Sequence, residues 1–159
     1  IQCDVRELLE DPWDLMIAHP PCTHLAVSGA RWFKDKQPEQ QAALAFVSLL
    51  LNAPIPMIAL ENPVSIISTR IRKPDQIIQP WQFGHPQSKT TCLWLKALPP
   101  LQHTNILTPP PSGRWDNQTP SGQSNLGPSP DRWKLRSMTF QGIADAMATQ
   151  WSTKETTNG

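Results

Sequence analysis

Three things are scarce in this 159-residue chain: long apolar runs, net charge and glycine. No stretch approaches the roughly 18 to 20 apolar residues of a membrane span, and no basic segment followed by an apolar one heads the chain. Neither a membrane anchor nor a signal peptide is expected, and a cytoplasmic location is the default reading. The net charge is only +1, with a sequence pI near 7.9. Global electrostatics therefore announce no polyanionic partner, and any basic surface has to be local. Cys3, Cys22 and Cys92 form no Cys-x-x-Cys pair, and an odd number without a secretion signal points to reduced thiols. No glycine precedes Gly29, so the opening segment holds no glycine-rich phosphate loop.

What is present describes a folded protein. Hydrophobic residues are 38% and charged residues 17%, which excludes a disordered polyelectrolyte and a coiled coil. The length is that of one ordinary domain. Proline is the surplus: 18 against seven glycines, which implies long, stiffened connections. The chain starts at Ile1 rather than Met, in what reads as the tail of a strand (Ile1 to Asp4), so a missing beginning is expected.

Leu15 to Ala18 is a short apolar run stopped by His19-Pro20-Pro21, as fits a buried strand of a parallel sheet. Between them and the tail, Val5 to Glu10 reads as a short helix ended by Asp11-Pro12. Pro38 to Asn52 carries apolar positions at helical spacing after a proline suited to the first turn. Met57 to Leu60 is a second strand-like run, stopped by Glu61-Asn62-Pro63, after which Val64 to Thr69 reads as a short helix or turn. Strand, helix, strand is a crossover unit, whose ligands gather at the carboxyl ends of the strands. Ile77 to Phe83 and Thr91 to Leu95 are expected to pair as an antiparallel hairpin. Thr139 to Trp151 repeats Ile143, Met147 and Trp151 every four residues, a stripe for core packing. The resulting fold class is α/β, a mostly parallel sheet with an antiparallel hairpin at its edge. Its organisation is a sheet-bearing part over residues 1–98, which a resemblance to a known enzyme family makes the catalytic part, a proline-rich loop over 99–136, which the same resemblance makes a reduced target-recognition region, a C-terminal helix over 137–151 and a frayed tail over 152–159.

Unusual residues stand at both strand ends. Cys22 follows two prolines, which lower the conformational entropy lost when its thiol is held against a substrate. Cys3 and Cys92, each inside a strand-like run, read as buried and inert. Glu61 follows an apolar run, where a partly desolvated carboxylate is fitted to share a proton with a ring nitrogen. Otherwise it serves the next helix as a cap or dipole partner. A thiol and a carboxylate at neighbouring strand ends suit covalent catalysis on a heterocycle. His19, Cys22 and His24 also have metal-ligand character, but no fourth ligand is near and zinc is the weaker account.

Together, Pro21-Cys22, Ala26-Val27-Ser28-Gly29, Glu61-Asn62 and the segment Gly84-His85-Pro86-Gln87-Ser88-Lys89-Thr90-Thr91 resemble, in order and spacing, the DNA cytosine-5 methyltransferase family. The chain also resembles the short phage and prophage members of that family. The likeness covers roughly residues 1 to 98 and returns weakly in the final helix. Pro63 stands where the family has valine, Lys89 and Thr91 replace two arginines, and the family's aromatic-Gly-x-Gly cofactor loop is absent.

The resemblance implies a Rossmann-like fold for S-adenosylmethionine-dependent methyl transfer, truncated at its N-terminus. It implies that Cys22 attacks C6 of a cytosine taken out of the DNA stack, that Glu61 meets N3 and the exocyclic amine, and that C5 receives the methyl group. Asn62 organises the loop and Lys89 holds a phosphate or the base carbonyl. Asp4, Pro20 and Pro21 fall to the cofactor. Ser28, Gly29, Arg31, Gln87, Arg114 and Arg132 fall to DNA, with Trp115 and Trp133 available for stacking. No metal is implied and a monomer is expected. Two other readings stay open: an amino methyltransferase whose His19-Pro20-Pro21-Cys22 loop holds an exocyclic amine, and a non-catalytic DNA-binding module.

Overall fold

The apolar run Leu15–Ala18 is strand β1, and it lies parallel to β2, Met57–Pro63, with Leu15 beside Met57 and Ala18 beside Leu60. A computed structural model describes residues 1–122 and 124–152, except for the side chains at 30–33, 132 and 133. Helix α1, Gln37–Leu51, connects the two strands and completes the expected crossover unit. Pro38 sits in its first turn, where the missing N–H costs nothing, and Asn52 ends it by donating from both backbone and side chain to the Ser48 carbonyl.

A short helix α2, Ile67–Arg70, leads to β3, Gln76–Ile78, and then β4, Thr91–Lys96. The sheet is open, with order β1-β2-β4-β3. β2 and β4 are antiparallel, from Ile58 beside Lys96 to Pro63 beside Thr91. The class is therefore α/β, but the sheet is mixed where a mostly parallel one was expected: β4 runs antiparallel to β2 inside the sheet, and β3, the strand expected beside it, is its neighbour at the edge. Three expected boundaries also move. β2 does not stop at Leu60, because β4 supplies partners for Glu61, Asn62 and Pro63 that apolar periodicity does not register. The strand expected over Ile77 to Phe83 shrinks, because Pro80 cannot donate to a ladder and starts a 3-10 turn, Pro80–Gln82. Ile1 to Asp4 is no strand: Asp4 caps a 3-10 turn, Val5–Leu8.

The chain divides into two compact units, Ile1–Ile77 with Thr90–Pro100, and Ile78–Lys89 with the chain from Leu101 onward. In the first, alternate strand residues face one core. Ile58 and Leu60 of β2 and Cys92 and Trp94 of β4 pack with Val47 and Leu50 of α1 and Ile67 of α2. Met16 and Ala18 of β1 join them. Buried Trp94 keeps its indole N–H satisfied on the Arg72 carbonyl at 2.8 Å. In the second unit, α3 (Arg132–Ser137) precedes α4 (Gln141–Trp151), whose stripe Ile143, Met147 and Trp151 is buried as expected. The described residues of 99–131 are turns and irregular chain with isolated bridges from Asn105 to Phe83 and from Gln118 to Ser124. Among the described residues no helix is long and apolar enough to cross a membrane.

Candidate active site

The parallel register places the first pair of candidate groups. Ala18 lies beside Leu60, so one further step sets His19 beside Glu61 and the next sets Pro20 beside Asn62. Side chains alternate across a strand, so His19 and Glu61 share the face turned away from the core of Leu60 and Ala18. There His19 Nδ1 and Glu61 Oε2 are 3.0 Å apart. A carboxylate oxygen only accepts, so the imidazole N–H is the donor. Glu61 is the more enclosed partner, its side chain 14% exposed against 39% for His19.

Asn62 points the other way. It is 1% exposed, and its Nδ2 donates to the Pro20 carbonyl at 3.0 Å. Its Oδ1 is buried with no hydrogen-bond partner, as is Ser65 Oγ. Two residues of the β2 end thus hold the two residues that open the Cys22 loop. Beyond it, the Cys22 carbonyl accepts from the backbone of Leu25 and Ala26. Val27 N–H donates to the Val64 carbonyl and Ile66 N–H to the Leu25 carbonyl, so the segments following both strands are laced together. The buried Gln40 of α1 adds a donor at the His24 carbonyl, at 3.4 Å. Cys22 itself is a half-buried free thiol on this braced loop.

His19 as the partner of Glu61, and Gln40 as a brace, are not visible in local sequence. For His19 the signal is countable: aligning the first residues of the two apolar runs brings Glu61 opposite His19. Among the described residues no three His, Cys, Asp or Glu side chains are grouped to hold a metal ion.

The other candidates are placed one by one. Asp4 binds Arg6 with both carboxylate oxygens, and those hydrogen bonds pull its pKa down to about 2. Pro20 is buried, whereas Pro21 is exposed beside an apolar hollow of about 330 Å3 shared with His24, Glu39, Ala42, Ala43 and Phe46. Ser28 is exposed and Gly29 half-buried in a 3-10 segment, Val27–Asp35. The Arg31, Arg132 and Trp133 side chains lie outside the described residues. In the second unit Gln87 is exposed, and Lys89 Nζ donates to the Met138 carbonyl at 3.2 Å, near the Phe140 ring. Arg114 is exposed and reaches the Pro120 carbonyl. Trp115 is buried and so anchors its loop rather than offering a ring to bases.

Of the two thiols read as inert, Cys92 is buried in the core but Cys3 is exposed, because the segment around it forms no strand. Burial, and secondarily the Glu61 charge, push the Cys92 thiol pKa up. A raised thiol pKa means that the folded state keeps the proton that the unfolded chain releases at about pH 8.5. Stability is full below that point and falls as pH rises toward the folded value. Denaturant unfolding between about pH 7 and 10 should show this decline. With no tyrosine in the chain, Cys92→Ala should flatten much of it at some cost in packing.

No family model, no curated protein and no solved structure matches this chain.

Proposed function

We propose that the chain carries the base-activating machinery of a DNA cytosine-5 methyltransferase on a Rossmann-like α/β sheet. The observation that supports this best is the double tether, His19 to Glu61 and Pro20 to Asn62, which holds a proline-stiffened thiol loop to a carboxylate-bearing strand. Such a site suits addition to an electron-poor ring. The Cys22 thiolate bonds to C6 of a cytosine swung out of the stack, and the C5=C6 electron pair moves into the ring toward C5 and N3. Glu61 gives N3 the proton that the added charge requires, which leaves C5 nucleophilic. Reversal expels the thiolate and returns the proton. Of the residues that the resemblance assigns to DNA, Ser28 of the first unit and Gln87 and Arg114 of the second are exposed.

The residues that the resemblance assigns to S-adenosylmethionine do not fit it. Asp4 is committed to Arg6 and a turn cap, and the Pro20 carbonyl to Asn62.

A test of base activation needs no methyl donor. DNA carrying 5-azacytosine should form a covalent adduct, because after thiolate addition to C6 the ring nitrogen at position 5 takes its proton from water. One oligonucleotide per chain should appear by mass spectrometry with the wild-type protein and with Cys3→Ser, and none with Cys22→Ser. Glu61→Gln should slow addition about 100-fold. An amino methyltransferase or a non-catalytic binding module would bind the DNA and form no adduct.

A further inference from the structure

The His19–Glu61 hydrogen bond does more than join two strand ends. A carboxyl group that serves as an acid must carry its proton on the oxygen facing the base. Either oxygen of a free glutamate can carry it. Here Oε2 lies 3.0 Å from His19 Nδ1 on the face turned away from the core, and it accepts when the imidazole proton is on Nδ1. The C=O oxygen of a carboxyl group is a better acceptor than its O–H oxygen, so an N–H donated to Oε2 favours the proton on the other oxygen. The bond also freezes the torsions of Glu61, which is only 14% exposed and flanked in the ladder by Leu60 and Asn62.

We propose that His19 is a positioning residue for Glu61: by donating to Oε2 it assigns the carboxyl proton to Oε1, the oxygen left for the substrate ring. This rests on the base-activation reading above. As the S–C6 bond forms, N3 takes the proton from Oε1 while Oε2 keeps its hydrogen bond from His19. As the S–C6 bond breaks, the proton returns to Oε1. His19 neither gains nor loses a proton in either direction. The role explains why the loop residue three places before the thiol is polar and faces a carboxylate, when the adjoining strand residues on the core side are apolar.

The test uses the full chain, DNA carrying 5-azacytosine, and two substitutions. His19→Phe keeps a ring and removes the donor. His19→Asn hangs an amide nitrogen at the position of Nδ1 and keeps it. DNA affinity is measured separately from the rate of adduct formation. His19→Phe should bind within about twofold of wild type but add about 10- to 100-fold more slowly, the range of a misplaced general acid. His19→Asn should recover most of that rate. A wild-type rate in His19→Phe, or a His19→Asn protein as slow as His19→Phe, overturns the positioning role while leaving base activation intact. A wild-type chain that forms no adduct overturns base activation, and this role with it.

Discussion

Gly142→Ala is expected to destabilise the second unit by about 3 kcal/mol or more, although alanine is the better helix former by about 1 kcal/mol. Gly142 is the second residue of α4, and a Cβ there would lie 2.1 Å from the Phe83 carbonyl oxygen and 3.1 Å from His85 Nε2. The first contact is with backbone, so it cannot be relieved by a side-chain rotation. The Gly142 N–H also donates to His85 Nε2 at 2.9 Å, and any retreat of the helix breaks that bond. His85, in turn, lies against Phe140 with ring centroids 5.2 Å apart, so the segment Phe83 to His85 and the start of α4 move together or not at all. Calorimetry and amide exchange in α4 should both report the loss. Gly127→Ala is the control: nothing lies within 4 Å of its Cβ position, and its effect should stay within about 0.5 kcal/mol. If the two substitutions behave alike, the close approach at Phe83 is not holding α4.

Much of this fold was legible where one element decides its own form. The run Leu15–Ala18, the helix at Gln37–Leu51 and the stripe Ile143, Met147 and Trp151 follow from period and length, and each lies where its pattern places it. What depended on a distant partner was not legible. Glu61 and Asn62 belong to β2 because Leu93 and Cys92 pair with them, some 30 residues later. The Gly142 constraint comes from a carbonyl nearly 60 residues upstream. Trp115 looks like a stacking surface in sequence and is a buried anchor in the fold, since exposure is not a local property. The site shows the same division. Cys22 and Glu61 stand out by residue type at the ends of apolar runs, but His19 gains its meaning only from the parallel register, and Asn62 only from the face it occupies.

Asn62 is the residue whose replacement should separate loop order from fold, and the contrast lies between Asn62→Asp and Asn62→Ala. The wild-type side chain is 1% exposed, donates from Nδ2 to the Pro20 carbonyl and leaves Oδ1 buried without a partner. An unpaired buried acceptor costs about 1–3 kcal/mol, so Asn62 is tolerated for what its donor does rather than for stability alone. Alanine removes the unpaired oxygen but orphans the Pro20 carbonyl and leaves a void. The opposing terms should give a net loss of about 1–2 kcal/mol. Aspartate keeps the shape, replaces the donor by an acceptor facing another acceptor, and adds a buried charge beside Cys92, its ladder partner. Its loss should reach about 3–5 kcal/mol. Both changes loosen the start of the loop, because its side-chain bond to β2 is then the His19–Glu61 pair, half open to solvent on its imidazole side. The half-buried Cys22 thiol should therefore react with a disulfide reagent about tenfold faster in Asn62→Ala than in the parent, both carrying Cys3→Ser to remove the exposed thiol. Cys92, buried on the neighbouring strand, should react no faster than global unfolding allows. Equal Cys22 rates in parent and Asn62→Ala would mean that the prolines and the other braces, Gln40 at the His24 carbonyl and the backbone bonds to Val64 and Ile66, hold the loop without the Asn62 donor. A faster Cys22 with an unchanged Cys92 assigns the loop's order to one buried amide donor.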